Sequence, residues 1–239
     1  PEYEVAATAS EGPHLVGAGA DVTVKAAYYA GGGLASASVN WSVRSEPASF
    51  IPPGRDGYVF GTWEPWWTHR YDQPAQVKQD TLQGKTDATG QHILHVDFLS
   101  INPPRPMSLI AEAFVEDVNR QAWAASSALL VHPSDLYVGL KQDRYFVDKG
   151  KPIEVKTIAV DHDGKAAAGT AIDMKAVRLD WSYKKGEWKE EEADPQACQV
   201  IAAVDKDQLC SFNTPEGGTY RVTATIKDAS GRPNQSQVL

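Results

Sequence analysis

Apolar and polar side chains alternate along the chain in short runs, and one of the clearest lies near its start. In the stretch 38–43, Val39, Trp41 and Val43 alternate with short polar residues. A period of two places the apolar side chains on one face of a β-strand and the polar ones on the other. The pattern therefore predicts a strand over Ser38–Arg44 that packs on one face only, as the strands of a β-sandwich do.

Comparable runs recur about every ten residues, a spacing typical of all-β sandwiches. Glycine and proline separate the runs, and no stretch shows the period of an amphipathic helix. We therefore predict an all-β fold of antiparallel sandwiches with a fibronectin-like or immunoglobulin-like architecture. Separate strands are predicted over Glu187–Ala193 and Cys198–Val204, and no strand is predicted between Arg44 and Gln91.

The second half of the chain repeats features of the first half. Residues 39–43 match residues 179–183, and residues 111–120 resemble residues 222–232. Such similarity indicates two tandem copies of one domain. Because Pro133 interrupts strand pairing there, we place the boundary at this point, which gives two β-sandwich domains, 1–132 and 133–239.

The first copy carries an insertion between its third and fifth strands. The insertion includes residues 50–67, which are rich in aromatic residues, proline and glycine. This composition is too apolar for a solvated linker and too broken for a long helix. We expect the insertion to fold back onto the first domain.

A tryptophan cluster lies in this insertion: Trp63, Trp66 and Trp67, interrupted by Pro65. Aromatic side chains in such a cluster can stack on sugars, contact another domain, or form a small core of their own. The sequence leaves these three interpretations open, and we treat the cluster as a possible interface.

The two cysteines, Cys198 and Cys210, flank a polar turn at residues 205–207. Short strand-like runs on either side of the turn can bring the cysteines together across a hairpin, and we favour a disulfide. Two buried free thiols are the alternative, because further metal ligands at the required spacing are missing. A disulfide indicates an oxidising compartment, such as the periplasm or the cell exterior.

Composition and charge exclude several classes of partner. The chain has 239 residues, of which 42% are hydrophobic, enough to fill two cores. A net charge of −8 argues against nucleic acid and anionic membranes as partners. Since no apolar run approaches the roughly 18 residues that span a bilayer, we predict no transmembrane segment in this chain.

The titratable residues show no motif for catalysis, a cofactor or a metal. His92 and His95 are three residues apart in a predicted strand, which places them on opposite faces. Asp161, Asp163 and Gly164 resemble the start of a calcium loop, but alanines occupy the next ligand positions, so a hairpin turn is the better interpretation. Without a nucleophile motif either, we predict a protein that is not an enzyme and has no cofactor.

Several short motifs stand out along the chain, at residues 3–5, 24–33, 34–39, 58–61, 137–140, 160–164 and 218–222. Together they resemble the macroglobulin-like domains of bacterial alpha-2-macroglobulins, which are large protease-trapping proteins related to complement components. Their order resembles that of the third and fourth macroglobulin-like domains of the family.

This resemblance implies a structural, non-catalytic segment of a broad-spectrum protease inhibitor. In that role it would hold the bait and reactive domains and relay the change that follows bait cleavage. The implied partners are neighbouring domains of the same full-length chain and, through the intact protein, target proteases. The family's thioester needs a Cys-x-x-Gln motif, whereas Ile201 and Asn213 stand where the glutamine would follow each cysteine.

The resemblance also implies a place in the cell and leaves one competing function. Alpha-2-macroglobulins of this kind act in bacterial defence at the cell envelope, so we expect a periplasmic protein, anchored to the membrane through an N-terminus missing from this chain, or a secreted one. A tandem β-sandwich adhesin module that binds carbohydrates or surfaces is the alternative, because exposed tryptophans suit that role as well. An enzyme ranks third.

Overall fold

A computed structural model describes residues 2–65 and 77–239, and every regular element in these ranges is a β-strand. The strands in chain order are β1 (Tyr3–Ala9), β2 (His14–Leu15), β3 (Gly19–Tyr28), β4 (Ser38–Pro47), β5 (Thr62–Trp63), β6 (Lys78–Lys85), β7 (Gln91–Asp97), β8 (Met107–Glu116), β9 (Ala122–His132), β10 (Leu136–Lys141), β11 (Ile153–Asp161), β12 (Ala171–Lys184), β13 (Glu187–Ile201), β14 (Gln208–Phe212), β15 (Thr219–Lys227) and β16 (Pro233–Val238). The predicted all-β fold is confirmed.

The described chain divides into two compact units whose sequence ranges are interleaved. The first unit comprises residues 2–48, 77–101 and 106–132, and the second comprises residues 49–65, 102–105 and 133–239. Each unit contains one three-stranded and one five-stranded sheet, as a β-sandwich requires.

In the first unit, the three-stranded sheet has the order β1-β3-β7 and the five-stranded sheet the order β2-β9-β8-β4-β6. Their facing sides share one apolar core, in which Val39 and Trp41 are buried as the alternation in β4 predicts. All neighbouring strands are antiparallel except β2 and β9, which pair in parallel over two residues.

The second unit has the same arrangement. Its three-stranded sheet has the order β10-β11-β14, and its five-stranded sheet has the order β13-β12-β15-β16-β5. Apolar residues of both sheets, among them Leu140, Ile172 and Phe212, form the core between them. The strand at the end of the larger sheet, β5, again pairs in parallel with its neighbour over two residues.

Matching hairpins end each repeat. Asp117 begins the turn between β8 and β9, and Asp228 begins the turn between β15 and β16. In both turns the aspartate Oδ1 accepts hydrogen bonds from the backbone N–H groups two and four residues later. The fourth turn residue has a positive φ, 62° at Arg120 and 78° at Gly231. The sequence repeat thus corresponds to a repeated backbone geometry.

Two features of the strands differ from the sequence prediction. Strand β6 lies where none was predicted, because its residues are polar on both sides and almost all exposed at the edge of the sheet. Strand β13 is continuous and includes Pro195, although two separate strands were predicted over this range. Since β13 is also an edge strand with a register shift opposite Ala176 and Arg178, it accommodates the proline.

The insertion packs differently from what was expected. Residues 49–65 belong to the second unit, where Phe50, Tyr58 and Phe60 pack against Tyr137. The expectation that they fold back onto the first domain is therefore wrong for the described part of the insertion. Their composition correctly indicated burial, but composition does not specify which core covers an apolar side chain.

Candidate functional site

The most elaborate local structure in the described chain is the contact that the insertion makes within the second unit. We call residues 49–65 the aromatic segment, and the surface that it covers the docking surface. The docking surface comprises Tyr137, Gly139, Leu140, Ile158, Val160, His162, Gly164 and Ser236. Three of the motifs that carried the family resemblance, 58–61, 137–140 and 160–164, meet here.

The backbone of the aromatic segment pairs with both sheets of the second unit. Val59 and Leu140 exchange two hydrogen bonds, of 2.7 and 2.9 Å. The segment thereby pairs with β10, the edge strand of the three-stranded sheet. Further along, the Gln237 N–H donates to the Gly61 carbonyl at 2.9 Å, where β5 begins to follow β16. The segment thereby covers the side of the sandwich where the two sheets end.

A buried serine links these strands. The Ser236 hydroxyl accepts a hydrogen bond from the Gly61 N–H at 2.9 Å and donates one to the Val138 carbonyl at 2.6 Å. Ser236 is 1% exposed, so both bonds are formed away from water. A buried polar group without a hydrogen-bond partner lowers the stability of the fold. The Ser236 hydroxyl therefore helps to hold Gly61 in its observed position.

Aromatic rings form the centre of the site. Tyr137 is 2% exposed, and the centre of its ring lies 5.0 Å from that of Phe50 and 6.5 Å from that of Phe60. The His162 ring lies 5.7 Å away on another side, and its Nε2 bonds the Ser134 carbonyl at 2.9 Å. Burial raises the pKa of the Tyr137 phenol, which therefore stays neutral.

Two glycines make room for the aromatic segment. A Cβ atom at Gly139 would lie 2.9 Å from the Phe60 ring, and one at Gly164 would lie 2.0 Å from the Pro53 carbonyl oxygen. Gly164 also has a φ of 80°, a conformation that side chains other than glycine disfavour. The docking surface is thus shaped to its occupant at two separate points.

No protein-family model matches the chain, but a curated relative covers nearly all of it. The alpha-2-macroglobulin homolog of Nostoc sp. is 22% identical over 237 residues, which are 96% of this chain and 12% of that protein. Trypsin-activated alpha-2-macroglobulin from Escherichia coli has the same fold, with a TM-score of 0.66 and 13% identity over 100% of this chain and 16% of that one. Over nearly its whole length, the chain is similar to bacterial alpha-2-macroglobulins.

A second curated relative matches a smaller part of this chain. Circularly permutated Ras protein 2 of Dictyostelium discoideum is 27% identical over 153 residues, which are 60% of this chain and 4% of that protein. The chain therefore spans 12% or less of the length of these two curated relatives.

Polar contacts fix the outer edge of the docking surface. The Tyr58 hydroxyl donates a short hydrogen bond to Asp207, and the Lys141 Nζ lies 5.7 Å from the centre of the Tyr58 ring. Burial and the bond to Asp207 raise the pKa of Tyr58 to about 12. Nearby, the Arg55 Nε donates to the Gly164 carbonyl at 2.9 Å.

The disulfide supports the loop that carries Asp207. Cys198 lies on β13 and Cys210 on β14, and their sulfur atoms are bonded, with the Cα atoms 6.1 Å apart. These strands belong to different sheets, so the hairpin expected from the sequence is wrong and the bond joins the two layers of the sandwich. With both sulfurs in this bond, neither cysteine is available for a thioester.

Of the tryptophan cluster, the structure describes Trp63 alone. Its ring stacks on Tyr145, with centres 4.8 Å apart and planes at 28°, and it packs against the core of the second unit. Trp66 and Trp67 lie outside the described residues.

The remaining candidates have structural roles. His92 accepts a hydrogen bond from Trp41 at 3.0 Å, whereas His95 is exposed and bonds Asp21 at 2.6 Å, so the two histidines do not share a site. The hydrogen bonds to Asp21 and then Asp97 raise the pKa of His95, despite a small opposing effect of desolvation. Asp161 accepts backbone bonds within its own turn. Within residues 2–65 and 77–239, no group of His, Cys, Asp or Glu is arranged to hold a metal ion.

Sequence reasoning missed Asp207 and Ser236, which are ordinary polar residues until the fold brings them to the aromatic segment. Gly139 did carry a signal, because an isolated glycine inside a strand often marks a close approach of other atoms. For the part of the chain that the structure describes, no helix is long and apolar enough to cross a membrane.

Proposed function

We propose that this chain is a structural, non-catalytic segment of a bacterial alpha-2-macroglobulin-type inhibitor of many proteases. The observation that carries this proposal is the likeness to alpha-2-macroglobulins along the whole chain. The site supports it as well: the docking surface is built from packed rings, glycines and backbone hydrogen bonds. Such groups hold a shape and offer no reacting atom.

In this role the two sandwiches hold the bait and reactive domains of the full-length chain and relay the rearrangement that follows bait cleavage. A relay needs elements that move as rigid bodies. Packing of two sheets gives each unit that rigidity, and the second unit gains more from its disulfide and from the aromatic segment. The partners are neighbouring domains of the same chain and, through the intact protein, target proteases.

We further propose that residues 1–132 and 133–239 correspond to the third and fourth macroglobulin-like domains of such a protein. The aromatic segment then belongs to one domain in sequence and completes the other in space. A periplasmic or secreted location, with or without a membrane anchor elsewhere, agrees with the disulfide, since such bonds persist in oxidising compartments.

The isolated chain provides the first test. We expect it neither to inhibit trypsin acting on a large protein substrate nor to react with methylamine, because it supplies neither a recognisable bait nor a thioester. Strong inhibition, together with a one-to-one complex with trypsin on a sizing column, would show that these domains are themselves the inhibitor and would overturn the proposal.

The full-length protein provides the second test. Phe60→Ala removes a ring of the aromatic segment that packs on the docking surface, whereas Ile51→Ala changes a residue of the same segment that is 53% exposed. We expect Phe60→Ala to weaken protease trapping while bait cleavage continues at its normal rate, and Ile51→Ala to leave both unchanged. Normal trapping by the Phe60→Ala protein would contradict a relay that depends on this site.

A further inference from the structure

The second unit has a strand position that its own continuous chain does not fill. In the first unit, the position beside β9 is taken by β2, which comes from the connection between β1 and β3. In the second unit, the equivalent connection, residues 142–152, contains no strand. The equivalent position beside β16 is taken by β5 of the aromatic segment instead.

The aromatic segment is held in the way that a sheet edge holds an extended peptide. Backbone pairing is confined to Val59 and to a few bonds around Gly61 and β5. Most of the remaining contact is made by side chains, since Phe50, Tyr58, Phe60 and Trp63 each have partners in the second unit. Backbone pairing for affinity and side-chain pockets for selectivity are the features of peptide recognition by strand addition.

The docking surface is made entirely by residues 133–239. The pocket for the Phe60 ring is open because position 139 is glycine, and the approach of Pro53 is open because position 164 is glycine. The hydroxyl of Tyr58 meets Asp207 at the far side. The features at Gly139 and Asp207 match the side chains of Phe60 and Tyr58, which belong to one pattern along an extended chain, Tyr-x-Phe-Gly-x-Trp, and the feature at Gly164 matches Pro53 upstream of it.

We propose that the docking surface is a peptide-binding site, and that the aromatic segment is its tethered ligand. The site takes an extended peptide of this chain's own pattern, such as the segment of a second copy. In the unmodified chain the tethered segment has a high effective concentration and excludes the free peptide. Weakening the tethered segment opens the site.

The test uses a fluorescent peptide with the sequence of residues 49–65 and the full chain. In the first variant, Phe50→Ala, Tyr58→Ala and Phe60→Ala together weaken the tethered segment. Fluorescence anisotropy should show binding of the peptide at least about tenfold tighter to this variant than to the unmodified chain. A peptide with Tyr58→Ala and Phe60→Ala is the matched control and should not bind.

A second variant distinguishes binding at the docking surface from nonspecific binding of the peptide elsewhere on the chain. Adding Gly139→Val to the first variant fills the Phe60 pocket and should abolish binding. If the first variant loses the fold of the second unit, the peptide should restore it, because a ligand that binds only the folded state raises its melting temperature. Neither binding nor restored folding at about 1 mM peptide, or equal binding after Gly139→Val, would overturn the proposal.

Discussion

The two units share one strand order but differ in how the larger sheet ends. In both, a two-residue strand pairs in parallel with the last residues of the final strand, Val131–His132 in the first unit and Gln237–Val238 in the second. In the first unit this strand comes from the neighbouring connection, and in the second it comes from an insertion that leaves the first unit after β4. The fold therefore specifies that the position is filled, while the source of the strand is free to vary.

Corresponding tyrosines show the same difference. Tyr3 and Tyr137 lie near the start of matching strands and are both almost fully buried. The Tyr3 hydroxyl bonds the Gln121 carbonyl at 2.6 Å, inside the hairpin that ends its own repeat. The Tyr137 ring is covered by Phe50 and Phe60 of the aromatic segment. The stability of the second unit should thus depend on residues outside the range 133–239.

The largest difference between the units is expected from the disulfide, which only the second unit has. The bond closes a loop with a sequence separation of 12, and removing it by Cys198→Ala with Cys210→Ala should cost about 3 kcal/mol, because the unfolded chain regains freedom. Calorimetry should show the loss in the melting of the second unit, with the first unchanged. Mass spectrometry would contradict the bond if the chain takes up two alkyl groups without a reductant.

The aromatic segment gives the next largest effect. Phe60→Ala should destabilise the second unit by about 2–3 kcal/mol, somewhat below the cost for a fully buried phenylalanine. Ile51→Ala, at an exposed position of the same segment, should cost less than about 0.5 kcal/mol. Chemical unfolding of both variants measures this. Destabilisation of the first unit by Phe60→Ala would contradict the assignment of the segment.

The matching turn aspartates should differ in cost. Asp228 accepts hydrogen bonds from its own turn, and in addition from the Asp135 N–H at 3.0 Å and the Arg232 Nε at 2.8 Å. Asp117 accepts hydrogen bonds mainly from its own turn. Asp228→Ala should therefore cost about 2 kcal/mol and Asp117→Ala about 1 kcal/mol. Equal costs in urea unfolding would show that the two turns contribute alike.

Acid should probe the same contact. Although burial acts in the opposite direction, the Asp135 N–H and the Arg232 guanidinium lower the pKa of Asp228 below the ordinary aspartate value of 3.8. A carboxyl group whose pKa is lower in the folded state than in the unfolded state stabilises the fold at any pH above its unfolded-state pKa. This stability is lost as the pH falls through the folded-state pKa. We expect the second unit to lose this contribution below about pH 4, and Asp228→Ala to remove that part of the acid dependence.

The smallest effect concerns Tyr58 at high pH. Its pKa is raised from 10.0 to about 12, first by burial and then by Asp207. Because the pKa is higher in the folded state, the resulting stability is complete at any pH below the unfolded-state pKa. It is lost as the pH rises from about 10 to about 12. The difference in phenolate absorbance between the unmodified chain and Tyr58→Phe measures this titration. Ionisation of Tyr58 near pH 10 would contradict its contact with Asp207.

The sequence predicted the strands with alternating patterns and missed those without them. Strands β8 and β15 alternate buried and less buried residues, because one face of each lies on a core. Strand β6 has no apolar face, and β2 and β5 are too short to show a period. Pattern alone cannot find such edge strands, since only their backbone atoms pair.

The site was predictable in its parts but not in its assembly. The motifs 58–61, 137–140 and 160–164 were recognised, and so was the pairing of the cysteines. Their meeting was not, because it depends on the insertion crossing into the other repeat. Asp207 and Gly164 acquire their roles only when Tyr58 and Pro53 lie beside them.

Amide hydrogen exchange of the full chain tests most directly whether the aromatic segment completes the second sandwich. The Val59 N–H bonds the Leu140 carbonyl at 2.7 Å, and the Val16 N–H of the first unit, which bonds the His132 carbonyl at 3.0 Å, is the internal control. We predict that Val59 exchanges at least about a hundredfold more slowly than an unstructured amide. In Phe60→Ala this protection should fall while that of Val16 is kept. Exchange of Val59 at the unstructured rate in the unmodified chain would contradict the account.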